Sequence, residues 1–131
     1  MDPKQLLGIR HVALNVHDMQ KSVAFYRDIL GMQIEWKPDE DNVYLTSGAD
    51  NLALHSAPRI SPAPSAQALH HIGFVLKRPE DVDAWAEHVQ RHGVAIAQPP
   101  KTHRDGARSF YMHDPDCVLI QLIYHPPISG K

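Results

Sequence analysis

The chain has 131 residues, 43% of them hydrophobic and 21% charged, and a formal net charge of −2. That is enough chain for one compact domain with a real core, and the charge balance gives no reason to expect nucleic acid or an anionic membrane as partner. No apolar run approaches the roughly 20 residues that span a bilayer; MDPKQLLGIR reads as neither signal nor transit peptide, and a single cysteine, Cys117, allows no intrachain disulfide, so a cytoplasmic protein is expected.

In chain order, Gly8 to Val16 (GIRHVALNV) alternates as a strand, with Val12, Leu14 and Val16 on one face and Ile9, His11, Ala13 and Asn15 on the other. Asp18 is a suitable N-cap for a helix over Met19 to Leu30, whose apolar stripe is Met19, Val23, Tyr26 and Leu30, and Gly31 stands at the C′ position. Three short strands follow: Met32 to Trp36, Val43 to Thr46 and Leu52 to His55. The turns between them are Pro38-Asp39-Glu40-Asp41 and Gly48-Ala49-Asp50. The Pro/Ala/Ser-rich stretch around 57–68 has no periodicity and reads as a linker. The same order then recurs. Leu69 to Leu76 is a strand, and Pro79 and Glu80 open a helix with Val82, Trp85, Ala86 and Val89 inward, Trp85 being expected in the core. Gly93 stops that helix, and Val94 to Ala97, Arg108 to Met112 and Val118 to Tyr124 give three more strands. The chain is thus strand–helix–strand–strand–strand written twice: module one over 8–56, a linker over 57–68 and module two over 69–125 of a single domain.

Two alignments give the repeat a register. Leu45 to His55 lies on Tyr111 to Gln121 without a gap, which sets Leu45 on Tyr111, Asp50 on Asp116 and His55 on Gln121; HVALNV on HIGFVL sets His11 on His71. Each match pairs one polar, ligand-capable residue with another. If the helix of each module covers the aliphatic face of its sheet, His11, His71 and Gln121 face the other way, whereas His70 falls on the covered parity and reads as a strand-end residue. Side by side, the uncovered faces would make a curved cup in which His11, His55, His71 and Gln121 converge. Three imidazoles and an amide oxygen suit a borderline metal such as Zn²⁺, Ni²⁺, Cu²⁺ or Fe²⁺ better than Ca²⁺ or Mg²⁺.

The segments HVALNVHDMQKSVAFYRDILGM, LHHIGFVL and RSFYMHDPDCVLIQL resemble the vicinal oxygen chelate superfamily. Its members include glyoxalase I, fosfomycin-modifying enzymes, methylmalonyl-CoA epimerase, extradiol dioxygenases and bleomycin-binding proteins. The resemblance implies an α+β fold of two paired βαβββ modules forming a curved, cup-shaped sheet with helices outside. It also implies a homodimer and a divalent transition metal (Zn, Ni, Fe or Mn) in the cup, held by the first and last strands of each module, here His11, His55, His71 and Gln121. Tyr111 falls where fosfomycin-type members place a cup tyrosine, so its hydroxyl is a candidate catalytic group.

Two positions depart from the family pattern. Cys117 replaces the glycine of the usual Asp-Pro-Asp-Gly turn, which strains the backbone only if that position needs φ > 0. Gln121 stands where metal-using relatives carry glutamate. An amide oxygen coordinates a metal, but it is no general base near pH 7. The resemblance implies a metal-dependent lyase or isomerase of glyoxalase type acting on a small vicinal-oxygen substrate, with His55, Tyr111 or Glu35 as base. The alternatives are a ring-cleaving dioxygenase with a nonstandard Fe²⁺ site, a non-catalytic bleomycin-type binding protein, and a fosfomycin-type thiol transferase. For the last, Lys101, Arg104 and Arg108 are candidate anion-binding groups.

Overall fold

The computed structural model describes residues 5, 7, 9–57 and 69–129, and the linker expected over 57–68 lies, Ala57 apart, outside the described residues. The chain divides into two compact units, Met1–Ser61 and Pro62–Lys131. Among the described residues, no helix is long and apolar enough to cross a membrane.

In the first unit, β1 (His11–Val16) leads through α1 (Met19–Val23) into a π-helical turn over Ala24–Ile29. The hairpin strands β2 (Gln33–Asp39), β3 (Asn42–Thr46) and β4 (Asn51–Ser56) follow. The sheet order is β1-β4-β3-β2, with β1 parallel to β4 and the other pairs antiparallel. Alternation sets the faces as the sequence requires. Leu14, Val16, Val43, Leu45, Leu52 and Leu54 are buried, whereas His11, Ala13 and Asn15 are exposed on the opposite face. Asp18 caps the helix through Lys21 N, 3.2 Å away, and Gly31 takes the left-handed φ of +81° that ends it. The expected stripe is altered by the π turn. Leu30 N donates to Phe25 O, five residues back, and this wider turn brings Ser22 and Phe25 inward beside Tyr26 while Met19 and Leu30 are only half-buried.

The second unit repeats the plan: β5 (Ile72–Leu76), α2 (Pro79–Arg91), β6 (Ile96–Thr102), β7 (Arg108–His113) and β8 (Leu119–Tyr124), with a short α3 (Pro126–Ser129) after them. The sheet order is β5-β8-β7-β6, and β5 is parallel to β8. Val82, Ala86 and Val89 form the buried stripe of α2. Trp85, expected in the core, sits at the margin of that stripe, half-buried and edge-on to His88. The outer strands β2 and β6 run beyond the lengths expected of them, through Pro38 and through Pro99 and Pro100. An edge strand tolerates a proline because its N–H side needs no partner.

Duplication extends to the irregularities. β2 slips register against β3 between Ile34 and Trp36 and again before Asp39; β6 slips against β7 between Ile96 and Gln98 and again before Lys101. Counting from these matched slips, Tyr44 opposite Trp36 corresponds to Tyr111 opposite Gln98. Ala53 opposite Tyr44 and Ala13 then corresponds to Gln121 opposite Tyr111 and Gly73. The gapless alignment is therefore corrected: Ala53, not His55, occupies the position of Gln121, and Tyr44, not Leu45, that of Tyr111. The shift has two parts: β3 matches β7 one residue earlier than the gapless alignment has it, and the turn is one residue shorter in the first unit, 47–50 against 114–118, which adds the second residue in β4. The first-strand match of His11 with His71 agrees with the ladders, since Ala13 and Gly73 are equivalent.

Candidate functional site

On the uncovered face of the first sheet, His11 at the start of β1 lies opposite Asn51 of β4. Its Nδ1 is 2.8 Å from Asn51 Oδ1, and Asn51 Nδ2 donates to Glu35 Oε1 at 3.3 Å. His55 lies four residues further along β4 than Asn51, opposite Asn15 of β1 and Asn42 of β3. Its Nδ1 is 2.6 Å from Asn42 Oδ1, and Asn42 Nδ2 donates to both oxygens of Asp39 at 3.0 and 3.2 Å. The ring of Tyr44 stacks on the exposed Trp36, with centroids 5.2 Å apart, and meets His55 edge-on at 6.0 Å.

His11 and His55 do not form one donor pair. Four residues of strand are about 13 Å, too far for two rings each to come within roughly 2.1 Å of one ion. Within either unit, among the described residues, no three His, Cys, Asp or Glu side chains gather as a metal cluster.

In the second unit Gln121 is 8% exposed, and its Nε2 donates to the Tyr111 hydroxyl at 2.9 Å. Its Oε1 lies over Gly73, 3.6 Å from where a Cβ would stand. The Gln121 amide thus has its nitrogen engaged with Tyr111 and its oxygen over the bare backbone of β5. The amide does face the uncovered side of its sheet, as alternation requires. His71, just before β5, meets the Tyr111 ring edge-on at 5.5 Å, and its Nδ1 is 2.8 Å from Nδ1 of His70. Of those two nitrogens one donates and one accepts. When His71 donates, its Nε2 carries a lone pair.

The basic residues before β7 separate. Arg108 donates to both carboxylate oxygens of Asp83 on α2, at 2.9 and 2.7 Å, and to Thr102 Oγ1 at 2.9 Å. Hydrogen bonding to Arg108 holds the Asp83 carboxyl below its ordinary range, and the same bond raises Arg108. Arg108 is therefore tied to the helix and is not an open anion-binding group. Lys101 and Arg104 line a concavity at the β6–β7 hairpin together with His103. The left-handed φ of 65° at Cys117 answers the question of the turn: the position does need φ > 0.

Sequence reasoning missed Asn42, Asn51 and Tyr44. Their roles follow from cross-strand register, which only an alignment shifted by one residue in β3 and by two in β4 would have revealed.

A family model described as the Glyoxalase/Bleomycin resistance protein/Dioxygenase superfamily matches residues 8–122. A manganese-dependent 2,3-dihydroxybiphenyl 1,2-dioxygenase from Geobacillus genomosp. 3 is 34% identical over 86 residues, 66% of this chain but 26% of that protein, so the chain spans about a quarter of that relative. The metallothiol transferase FosB of Shouchella clausii is 29% identical over 116 residues, 88% of this chain and 78% of the relative. Among solved structures, a glyoxalase/dioxygenase from Nostoc punctiforme superposes with a TM-score of 0.81 at 27% identity, covering 96% of both chains.

Proposed function

Because the chain belongs to the glyoxalase/bleomycin resistance protein/dioxygenase superfamily, we propose that it is a metal-dependent enzyme acting on a small, anionic, oxygen-rich substrate. In this reading the donors to a divalent transition metal are His11, His71 and Gln121. His55 leaves the donor set for the register reason given above.

The observation that carries the reading is the state of Gln121: Tyr111 takes the amide nitrogen and leaves the oxygen, the atom that suits a cation, over Gly73. His11 fits in the same way, with Nδ1 engaged by Asn51 and the far nitrogen turned away from that bond. When bound, the metal would act as a Lewis acid toward two substrate oxygens. An amide in place of a carboxylate leaves that ion one charge more positive, which favours an anionic ligand.

The same amide argues for the class of reaction. Gln121 takes up no proton near neutral pH, so proton shuttling by the residue at this position is absent. Transfer of a thiol, the reaction type in the name of the FosB relative, needs no base at this position, and the match over 88% of this chain and 78% of that relative supports the same choice. Tyr111, held by Gln121, would present its hydroxyl hydrogen to a substrate oxygen. A glyoxalase-type lyase would have to draw its base from Tyr111, Glu35 or His55. The test is a paired assay on metal-loaded protein: thiol addition to an epoxide phosphonate against isomerisation of the glutathione–methylglyoxal hemithioacetal. Thiol addition alone is expected. Efficient isomerisation with Gln121 intact would sink the transferase reading.

A further inference from the structure

The first unit holds its two histidines by one device used twice. A carboxylate accepts hydrogen bonds and donates none, so Asn51 must turn its amide nitrogen to Glu35, and its oxygen is left for His11. An amide oxygen only accepts. The His11 Nδ1 in contact with it at 2.8 Å therefore carries the hydrogen, and in the neutral ring the lone pair is on Nε2. Asp39, Asn42 and His55 repeat the logic with shorter contacts. Glu35 and Asp39 both come from β2, the edge strand whose register slips carry side chains toward the open face.

We propose that Asn51 is a positioning residue that, backed by Glu35, fixes His11 in the Nδ1–H tautomer and turns Nε2 outward as a metal donor. The metal half of this statement rests on the reading in the preceding section, whereas the tautomer half stands on the hydrogen bonds alone. Asn42 does the same for His55, which serves as an internal control because it lies outside the proposed donor set.

The experiment is a two-bond proton–nitrogen correlation on histidine-labelled, metal-free protein at about pH 8, above the usual histidine pKa, with Mn²⁺ affinity measured on the same samples. His11 is expected as the Nδ1–H tautomer in the wild type. Asn51→Leu should release it to a mixture and weaken Mn²⁺ binding about 10- to 100-fold. Glu35→Gln, an exposed and structurally mild change, lets the Asn51 amide turn either way and should give a smaller release in the same direction. The double variant Asn51→Asp with Glu35→Gln keeps an acceptor opposite Nδ1 and should restore the tautomer. Asn42→Leu should free His55 and leave Mn²⁺ affinity alone. An Nε2–H His11 in the wild type, or an unchanged His11 tautomer in both Asn51→Leu and Glu35→Gln, would overturn the proposal. If the tautomers follow the pattern but the wild type takes up no Mn²⁺, the metal reading fails and the relay stands.

Discussion

The two units share strand order, register slips and helix placement, yet their open faces are wired differently. In the first, each histidine leans on an asparagine that a carboxylate holds in turn: His11–Asn51–Glu35 and His55–Asn42–Asp39. In the second, the polar groups hold one another with no carboxylate among them, Gln121 on Tyr111 and His71 on His70. At the strand position where the second unit carries Gln121, the first carries Ala53, 1% exposed and without a donor atom. A duplicated backbone therefore does not duplicate its chemistry. Register, and not likeness of sequence, decides which residues are equivalent.

The largest test of that equivalence is in the cores. Leu54 and Leu122 occupy matched positions of β4 and β8 and are 0% and 2% exposed. Leu54→Ala and Leu122→Ala should each cost about 2–5 kcal/mol in urea unfolding, from lost burial plus the cavity left behind. A cost well below that range at either site would show that the two sheets are not packed as equivalents.

Next comes the donor comparison. Gln121→Glu should tighten binding of a divalent metal by adding a negative charge at the ligand position, whereas His55→Ala should leave metal affinity unchanged; a metal titration reads both. Loss of affinity in His55→Ala would restore the alignment that the ladders correct.

A smaller effect separates the hairpins. The first has glycine, Gly48, at a positive φ of 126°, and the second has Cys117 at 65°. Cys117→Gly should stabilise by about 1 kcal/mol, relief of left-handed strain offset in part by the unfolded-state entropy of glycine. Gly48→Ala should move the melting temperature the opposite way.

The smallest effect is electrostatic. Asp83 has a lowered folded-state pKa beside Arg108. Its contribution is therefore present above the ordinary aspartate value of about 3.9 and is lost as pH falls through the lower folded-state value. Because the Asp83 side chain is 52% exposed, Arg108→Gln should cost only about 0–1 kcal/mol at pH 7. Unfolding curves at pH 7 and in acid should show that difference shrinking toward the acid side.

Much of this arrangement was legible in the sequence. Alternation in β1 separated Leu14 and Val16 from His11, and Asp18, Gly31 and Gly93 marked helix ends through cap chemistry that acts locally. The repeated order of elements set His11 and His71 at equivalent positions of the two modules, as the ladders do. What was not legible depended on contacts across strands. The gapless match drew weight from Asp50 lying on Asp116, yet the hairpins are capped differently. Asp50, at the end of the first turn, accepts from Ser47 N at 2.5 Å. In the second turn it is Asp114, at the start, that accepts from the backbone of Asp116 and Val118 at 2.8 and 2.9 Å. Two aspartates with the same task stand at opposite ends of turns of different length, and one residue of register in β3 together with one residue of turn moved His55 away from the position of Gln121. The π turn after Val23 was hidden for a related reason, since a stripe of period 3.6 is consistent with Tyr26 inward whether or not the helix widens there.

The measurement closest to the central claim is metal content after metal-replete expression and chelator-free purification, for the wild type, His11→Ala and His55→Ala in parallel. About one equivalent of divalent metal in the wild type, lost with His11→Ala and kept with His55→Ala, is the predicted result. A wild type that stays empty, or a metal lost as readily with His55→Ala as with His11→Ala, would contradict it.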